Sequence, residues 1–226
     1  MYIIIVGAGK IGSNLIRRAV NDGNDVVVIE QKRDVAEDIS AEHDCMVLNA
    51  DATQTDVLHE ARIDRADAII STTNLDSVNI MVMLLAREHE VSSLVSVVHD
   101  VNHIPIFEKI GVHIMGNPQQ LIADHLYHSV RYPGVLNFMR LDDESEFIEI
   151  EPESDAPIIG RSLESAKSNG VLPEPAIIAA IKRDDRVVAP AGTTAVQEGD
   201  LVTVLVTKTS ADAVLRAFGH TGENGG

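Results

Sequence analysis

The residues with most chemistry to offer lie near the start of the sequence. Gly7, Gly9 and Gly12 are spaced G-x-G-x-x-G, with Ala8, Lys10 and Ile11 between them. A glycine turn of this kind exposes backbone N–H groups, and a helix starting in it points its positive end at whatever lies in front. An anionic phosphate suits that place. The first glycine permits the tight turn and the second lets the backbone approach a pyrophosphate. The third lets the helix pack close to the preceding strand. Glu30 closes the next apolar run, Val26 to Ile29, where a carboxylate can accept hydrogen bonds from a ribose diol. Lys10 can reach a terminal phosphate, or can stand as a solvated lysine at a helix start. The charge of Glu30 disfavours a 2′-phosphate, and Lys32 and Arg33 blunt that bias.

Other candidates follow later apolar runs. Asp51, with Ala52 beside it, can accept from an adenine amino group or cap a helix. Thr72, Thr73 and Asn74 can contact phosphate or ribose, while Asp76 is read as the cap of a long helix. His99, His103, His113, His125 and His128 make a histidine-rich middle. His125 and His128 are three apart on a helix and share a face with Asp124. No third and fourth ligand is evident, so no metal is expected there. Beyond Met139 there is no cysteine, and the sole histidine is His220. A dehydrogenase needs a proton-transfer group and a substrate pocket in its second half, and no nucleophile–base pair is found. The expectation is a nucleotide site without a reaction.

The elements that must position these residues alternate. Apolar runs Tyr2 to Val6, Val26 to Ile29, Met46 to Leu48, Ala68 to Ser71, Leu94 to Val98 and His113 to Met115 read as strands, with helical patterns between them. Strand and helix in alternation with short links make a parallel sheet covered on both faces. A further amphipathic helix runs from Pro118 to about Ser129, with Leu121, Ile122, Leu126 and Val130 spaced for one face, and is ended by Tyr132-Pro133-Gly134. Past Met139 the pattern changes to strands at 146–151, 177–182, 187–189 and 201–206, with short helices at 162–169 and, capped by Ser210, up to Phe218. Asp184-Asp185 reads as a hairpin turn. The fold class expected is α/β, a Rossmann-like doubly wound parallel sheet with a second, smaller α+β domain. The domains are placed at 1–139 and 140–219, with 220–226 as a disordered tail.

Composition narrows the function. Of 226 residues, 45% are apolar and 23% charged, which is ordinary for a globular protein. A net charge of −17 argues against a nucleic-acid partner, whose phosphates need a basic stripe. No apolar run approaches the roughly 18 residues of a membrane span, and a strand starting at Tyr2 leaves no room for a signal peptide. Cys45 is the sole cysteine, which suits a reducing interior. A cytoplasmic protein without direct membrane insertion is expected. Dense acids, few aromatics and more arginine than lysine also suit a salty cytoplasm, where salt screens the repulsion.

At this point the sequence resembles a family. GAGKIG, the acid at Glu30, the Asn-Ala-Asp-Ala-Thr stretch around Asp51, TTNLDSVNIMVMLLAR and FEKIGVHIMGNP are similar to the KTN domain, also called RCK, of potassium transport regulators. SDAPIIGRSL, AAIKRDDRVVAP and VQEGDLVTVLV resemble the TrkA C-terminal module that follows it, in the order of a single-repeat TrkA or KtrA-type subunit. The resemblance implies a non-enzymatic regulatory subunit held at the inner face of the cell membrane through its partner. That partner is a Trk/Ktr-type potassium-translocating membrane subunit, and the regulator forms a homo-oligomer (dimer, tetramer or octameric ring). Bound NAD(H) or ATP/ADP would change the ring's shape. By position, Gly7, Ala8, Gly9, Ile11 and Gly12 would hold phosphates with Lys10 beside them. Glu30 would hold the ribose and Asp51 the adenine, and His99 stands where arginine is frequent. The helix from Pro118 would be a crossover and Tyr132-Pro133-Gly134 its hinge. A KTN regulator of another cation channel or antiporter is an alternative, and an NAD-dependent oxidoreductase a more distant one.

Overall fold

Ile3, Ile4, Ile5 and Val6 are all buried in strand β1 (Tyr2–Val6), which therefore needs cover on both faces. The computed structural model, which describes residues 1–115, 117–132, 134–142 and 144–220, supplies it. β1 is followed by α1 (Lys10–Asn21), β2 (Asp25–Glu30), α2 (Arg33–Glu42), β3 (Met46–Asn49), α3 (Thr55–Glu60), β4 (Ala68–Ser71), α4 (Asp76–Glu88), β5 (Ser93–Val97), α5 (Ile104–Ile110) and β6 (His113–Met115). The six strands form one parallel sheet in the order β3-β2-β1-β4-β5-β6. Alternate side chains serve opposite faces. Ile4, Val6, Val27, Ile29 and Ile69 pack with Leu58, Val82, Met83 and Phe107. Ile3, Ile5, Val26 and Val28 pack with Ile16, Ala19 and Ile39 on the other side. The strand order reverses between β1 and β4, and that switch point opens a crevice at the C-terminal strand ends.

The chain divides into two compact units, Met1–Gln119 and Gln120 onward. Helix α6 (Pro118–Arg131) leads into the second. There β7 (Val135–Arg140), β8 (Ser145–Ile150), β9 (Ile177–Arg183), β10 (Arg186–Val188) and β11 (Leu201–Thr207) make an antiparallel sheet ordered β10-β9-β11-β8-β7. β11 alternates, with Val202, Val204 and Val206 buried against Ile148, Ile150 and Ile181. Two short helices, α7 (Leu163–Ser168) and α8 (Ala211–Ala217), complete the unit, and Val214, Leu215 and Phe218 join its core. Asp184 and Asp185 both take positive φ, 47° and 60°, as a two-residue hairpin turn of the primed type requires. Arg183 grips the fully buried Asp200 through two hydrogen bonds of 2.7 Å. Burial pushes the Asp200 carboxyl up, but Arg183 and the Gln197 N–H outweigh it and hold it below the ordinary value.

The expected fold class is the observed one, and several details differ. The boundary expected near Met139 falls inside β7, a strand that the sequence reading missed and that pairs with β8. Packing groups α6 with β7: the rings of His125 and His128 stack on Phe138, with centroids 5.3 and 3.9 Å away. The apolar side chains of α6 do not form a core face, since Leu121, Ile122, Leu126 and Val130 are all exposed. Of the break read as a hinge, Pro133 lies outside the described residues. On either side Tyr132 is buried, and a Cβ on Gly134 would meet the His220 ring at 2.3 Å. Ser210 precedes α8 without capping it, because its Oγ accepts from the Thr207 N–H instead. Of the tail read as disordered, residues 221–226 lie outside the described residues, while the His220 ring is hydrogen-bonded to the Glu151 carbonyl. Among the described residues no helix is long and apolar enough to cross a membrane.

Candidate functional site

The crevice at the switch point is built around the turn from β1 into α1. Gly7 turns at φ +88°, and its N–H stays in the sheet by donating to Ile29 O. Gly12 is fixed by close approach: a Cβ there would lie 2.0 Å from Gly7 O and 2.9 Å from Thr72 Oγ1. Gly9 is different. It is the N-cap of α1, with φ −64°, and a Cβ built on it would meet nothing within 4 Å. Nothing in the fold requires a glycine at this position, so its open face is room for something else. No side chain caps the first turn of α1, which leaves its N–H groups to face the crevice.

Glu30 sits across this turn at the end of β2. Its Oε2 accepts from the Ala8 N–H at 2.7 Å and its Oε1 from the Lys32 N–H at 2.8 Å. Asn49 Nδ2 donates to the carbonyls of Glu30 and Gln31, both at 2.9 Å, and fixes the same corner from β3. Arg33 pairs with Glu37 at 2.7 Å, so one of the two cations expected to offset the charge of Glu30 is engaged elsewhere. Lys10, Ile11 and Asn74 are exposed.

The end of β4 is tied to the glycine turn, and the end of β5 to that of β4, by hydrogen bonds. Thr72 Oγ1 donates to Gly7 O at 2.9 Å. Thr73 Oγ1 lies 2.7 Å from Asn79 Oδ1, and the His99 Nε2–H donates to Thr73 O at 3.0 Å. Asp51 Oδ1 accepts from both the N–H and the hydroxyl of Thr53 in a local turn, and Gln54 is the N-cap of α3. Ala52 is buried in the core. Gly7, Ala8, Gly9, Lys10, Ile11, Gly12, Glu30, Asp51, Ala52, Thr72, Thr73, Asn74 and His99 thus all lie at the C-terminal ends of β1 to β5.

Two residues act differently from the sequence reading. Asp76 does not cap α4, whose N-cap is Leu75. It is buried and reaches across to the turn after β5, accepting from the N–H groups of His99 and Asp100 and from His103 Nδ1 at 2.8 Å. Burial raises its pKa, yet the hydrogen bonds from His103 and the two N–H groups outweigh burial and hold the carboxyl below its usual value. The same bond raises His103 above its ordinary value. Asn79, missed in the sequence, is wholly buried in α4. It accepts from Ser71 Oγ at 2.7 Å and donates to Thr73 O and Val97 O, joining the ends of β4 and β5. Its signal was an amide in an otherwise apolar helical run.

A family model described as the TrkA-N domain matches residues 3–118, and one described as the TrkA-C domain matches residues 147–219. The chain belongs to the TrkA family. The resemblance to KTN/RCK potassium transport regulators is confirmed in both halves. Among TrkA relatives, the Trk system potassium uptake protein TrkA homolog of Methanothermobacter thermautotrophicus is 26% identical, over 96% of this chain and 99% of that protein. The homolog of Pyrococcus abyssi is 29% identical, over 93% of this chain and 94% of that one. The TrkA of Vibrio alginolyticus is 26% identical over 89% of this chain, which spans only 46% of that longer protein. Among solved structures, the GsuK channel bound to NAD matches with a TM-score of 0.65 at 21% identity, over 99% of this chain and 40% of that one. The entire TrkA-N plus TrkA-C fold is therefore shared with part of a larger channel chain.

Proposed function

We propose that this TrkA-family chain is a nucleotide-sensing regulatory subunit, not an enzyme, that gates a Trk/Ktr-type potassium-translocating membrane subunit through rearrangement of a homo-oligomeric ring. The observation that carries the reading is the open space over Gly9, bounded by the uncapped start of α1 and by Glu30 held to the Ala8 N–H. That cradle fits a pyrophosphate with a ribose beside it. The glycine turn would take the phosphates of NAD(H) or ATP/ADP, with Lys10 at the terminal one, Glu30 on the ribose and Asp51 toward the adenine. Thr72, Thr73, Asn74 and His99 would complete the far wall. The similar GsuK channel has solved structures bound to NAD and to ADP, so both nucleotide classes stay open for this chain. The charge of Glu30 disfavours a 2′-phosphate, with Arg33 paired to Glu37 and Lys32 left as the nearby cation that offsets it.

The acids of the crevice are committed to the protein's own backbone: Glu30 to Ala8 and Lys32, Asp51 to Thr53, Asp76 to His99 and Asp100. Carboxylates tied down in this way are fixed in place and keep lone pairs for a ribose or base, which supports a binding role. Gating then follows from differential binding, because a nucleotide shifts the ring only by as much as it prefers one shape. Moving from mostly closed to mostly open takes about 5.5 kcal/mol in total, which several identical sites can share. The test is calorimetric titration of NADH, NADPH, ATP and ADP into the full chain. It is paired with potassium flux into vesicles holding a Trk-type membrane subunit, with and without the chain. Tighter binding of NADH than NADPH and nucleotide-dependent flux are expected. Absence of nucleotide binding overturns the sensor, and flux indifferent to bound nucleotide overturns the gating.

A further inference from the structure

At the opposite, N-terminal end of the strands in the first sheet, just before β4 begins, His59, Asp64 and His89 converge. His59 lies in the last turn of α3, Asp64 in the short 3-10 turn that follows, and His89 at the C-cap of α4. His89 Nδ1 is 2.7 Å from Asp64 Oδ1, and His59 Nδ1 is 3.9 Å from Asp64 Oδ2. The three donor atoms lie within 4.8 Å of one another. The two imidazoles meet edge to face, centroids 4.9 Å apart and planes at 88°, and each has its Nδ1 as the atom near the Asp64 carboxylate. We propose that His59, Asp64 and His89 form a binding site for a borderline divalent transition ion of the Zn2+ class.

Four features carry this. The first is the donor set. Two imidazoles and one carboxylate suit zinc and its neighbours, and one carboxylate oxygen is too little for calcium or magnesium. The second is spacing. Atoms about 2.0–2.2 Å from a single ion lie about 3–4 Å from each other, so His89 and Asp64 need only part slightly while His59 closes in. The third is electrostatics. His89 terminates the thirteen-residue α4, and the carbonyl end of a helix favours a cation. Neighbouring cations are turned away: Arg87 donates to Lys109 O, and the Arg65 guanidinium lies 5.3 Å from the Tyr2 ring centroid. The fourth is backbone. Arg62 and Glu90, both at φ 55°, are the non-glycine residues with left-handed backbone among those described in the first unit, and they flank the ligands. Arg62 reverses the chain so that Asp64 returns to His59, and Glu90 ends α4 directly after His89. Left-handed turns at residues that pay for them in strain persist where the surroundings hold them.

The side chains of His59 and Asp64 are 52% and 68% exposed, so an ion can reach the site from solvent and keep water in its remaining positions. Without an ion the His89 Nδ1–H donates to Asp64. With one, the Nδ1 lone pair binds the metal and the proton resides on Nε2. The site does not depend on the nucleotide reading, since it shares no residue with the glycine crevice.

The experiment is titration of the metal-stripped full chain with ZnCl2 by calorimetry, and with CoCl2 by visible absorption. Thermal melts with and without zinc accompany both. One ion per chain, a cobalt spectrum of low coordination number and a higher Tm in zinc are expected. His89→Gln and Asp64→Asn should each weaken binding by about tenfold or more while leaving the far-UV spectrum unchanged. The His125→Gln/His128→Gln double variant should bind as the wild type does. Absence of bound zinc overturns the proposal, and so does unaltered affinity in a folded His59→Gln/His89→Gln chain.

Discussion

Gly9 and Gly12 answer to different constraints, and one added methyl at each separates them. At Gly12 the methyl would press on Gly7 O at 2.0 Å, so Gly12→Ala should destabilise the first unit by about 1–3 kcal/mol or more, read from urea melts. At Gly9 the methyl enters open space and φ −64° suits alanine, so Gly9→Ala should stay within about 1 kcal/mol of wild type while abolishing nucleotide binding. Binding that survives the change would remove phosphate from that place. Asp76 and His103 give a second test. The folded pKa of His103 is raised, so its contribution is full below the ordinary 6.5 and is lost as pH rises through the folded value. Asp76, held low, contributes above its ordinary 3.8 and loses that as pH falls through the folded value. Between those limits the pair is at its strongest. Tm should decline from pH 6 to 8 more in wild type than in His103→Gln, and equal slopes would contradict the pairing. That the glycines and Glu30 meet at one corner was legible because the strand–turn–helix spacing dictates it. The role of Asp76 was not, because its donors lie 23 to 27 residues further along the chain.

α4 shows what an element's pattern reveals and what it hides. Its limits, Asp76 to Glu88, are those its apolar run implies. What the pattern hid is that Asn79 clamps two strand ends. Asn79→Ala would leave Ser71 Oγ without its partner and remove one donor each from Thr73 O and Val97 O, which keep His99 Nε2–H and Ser96 Oγ. Leaving a buried group unsatisfied costs about 1–3 kcal/mol at most, and the Thr73 wall of the crevice should loosen with it. A drop in both Tm and nucleotide affinity is expected; a variant that loses neither would make the clamp incidental. β7 was illegible for the opposite reason. Val135-Leu136-Asn137-Phe138-Met139-Arg140 lacks alternation, since it is an edge strand whose outer side chains, Leu136 and Met139 among them, stay exposed. What makes it a strand is its partner β8, and what holds α6 beside it is ring stacking on Phe138. Neither contact leaves a periodic trace in sequence.

At the scale of the molecule, two forces act in opposite senses on association. Each chain carries −17, and repulsion within and between copies weakens as the screening length falls from about 30 Å at 0.01 M salt to about 3 Å at 1 M. Melts in KCl across that range should therefore show rising Tm, and a flat response would remove the case for a salty interior. The charge was plain in the composition, whereas the apolar surface it opposes was visible only once the fold was known. Leu121, Ile122, Leu126, Tyr127 and Val130 on α6 are all more than half exposed. A stripe of that size on a folded surface favours a companion, and a companion that binds only the folded chain obeys mass action. Tm should then climb with protein concentration as well as with salt, most steeply where both are high. The stability of this protein would become a property of its abundance: a dilute copy is a weaker fold than a crowded one, though no bond within it has changed.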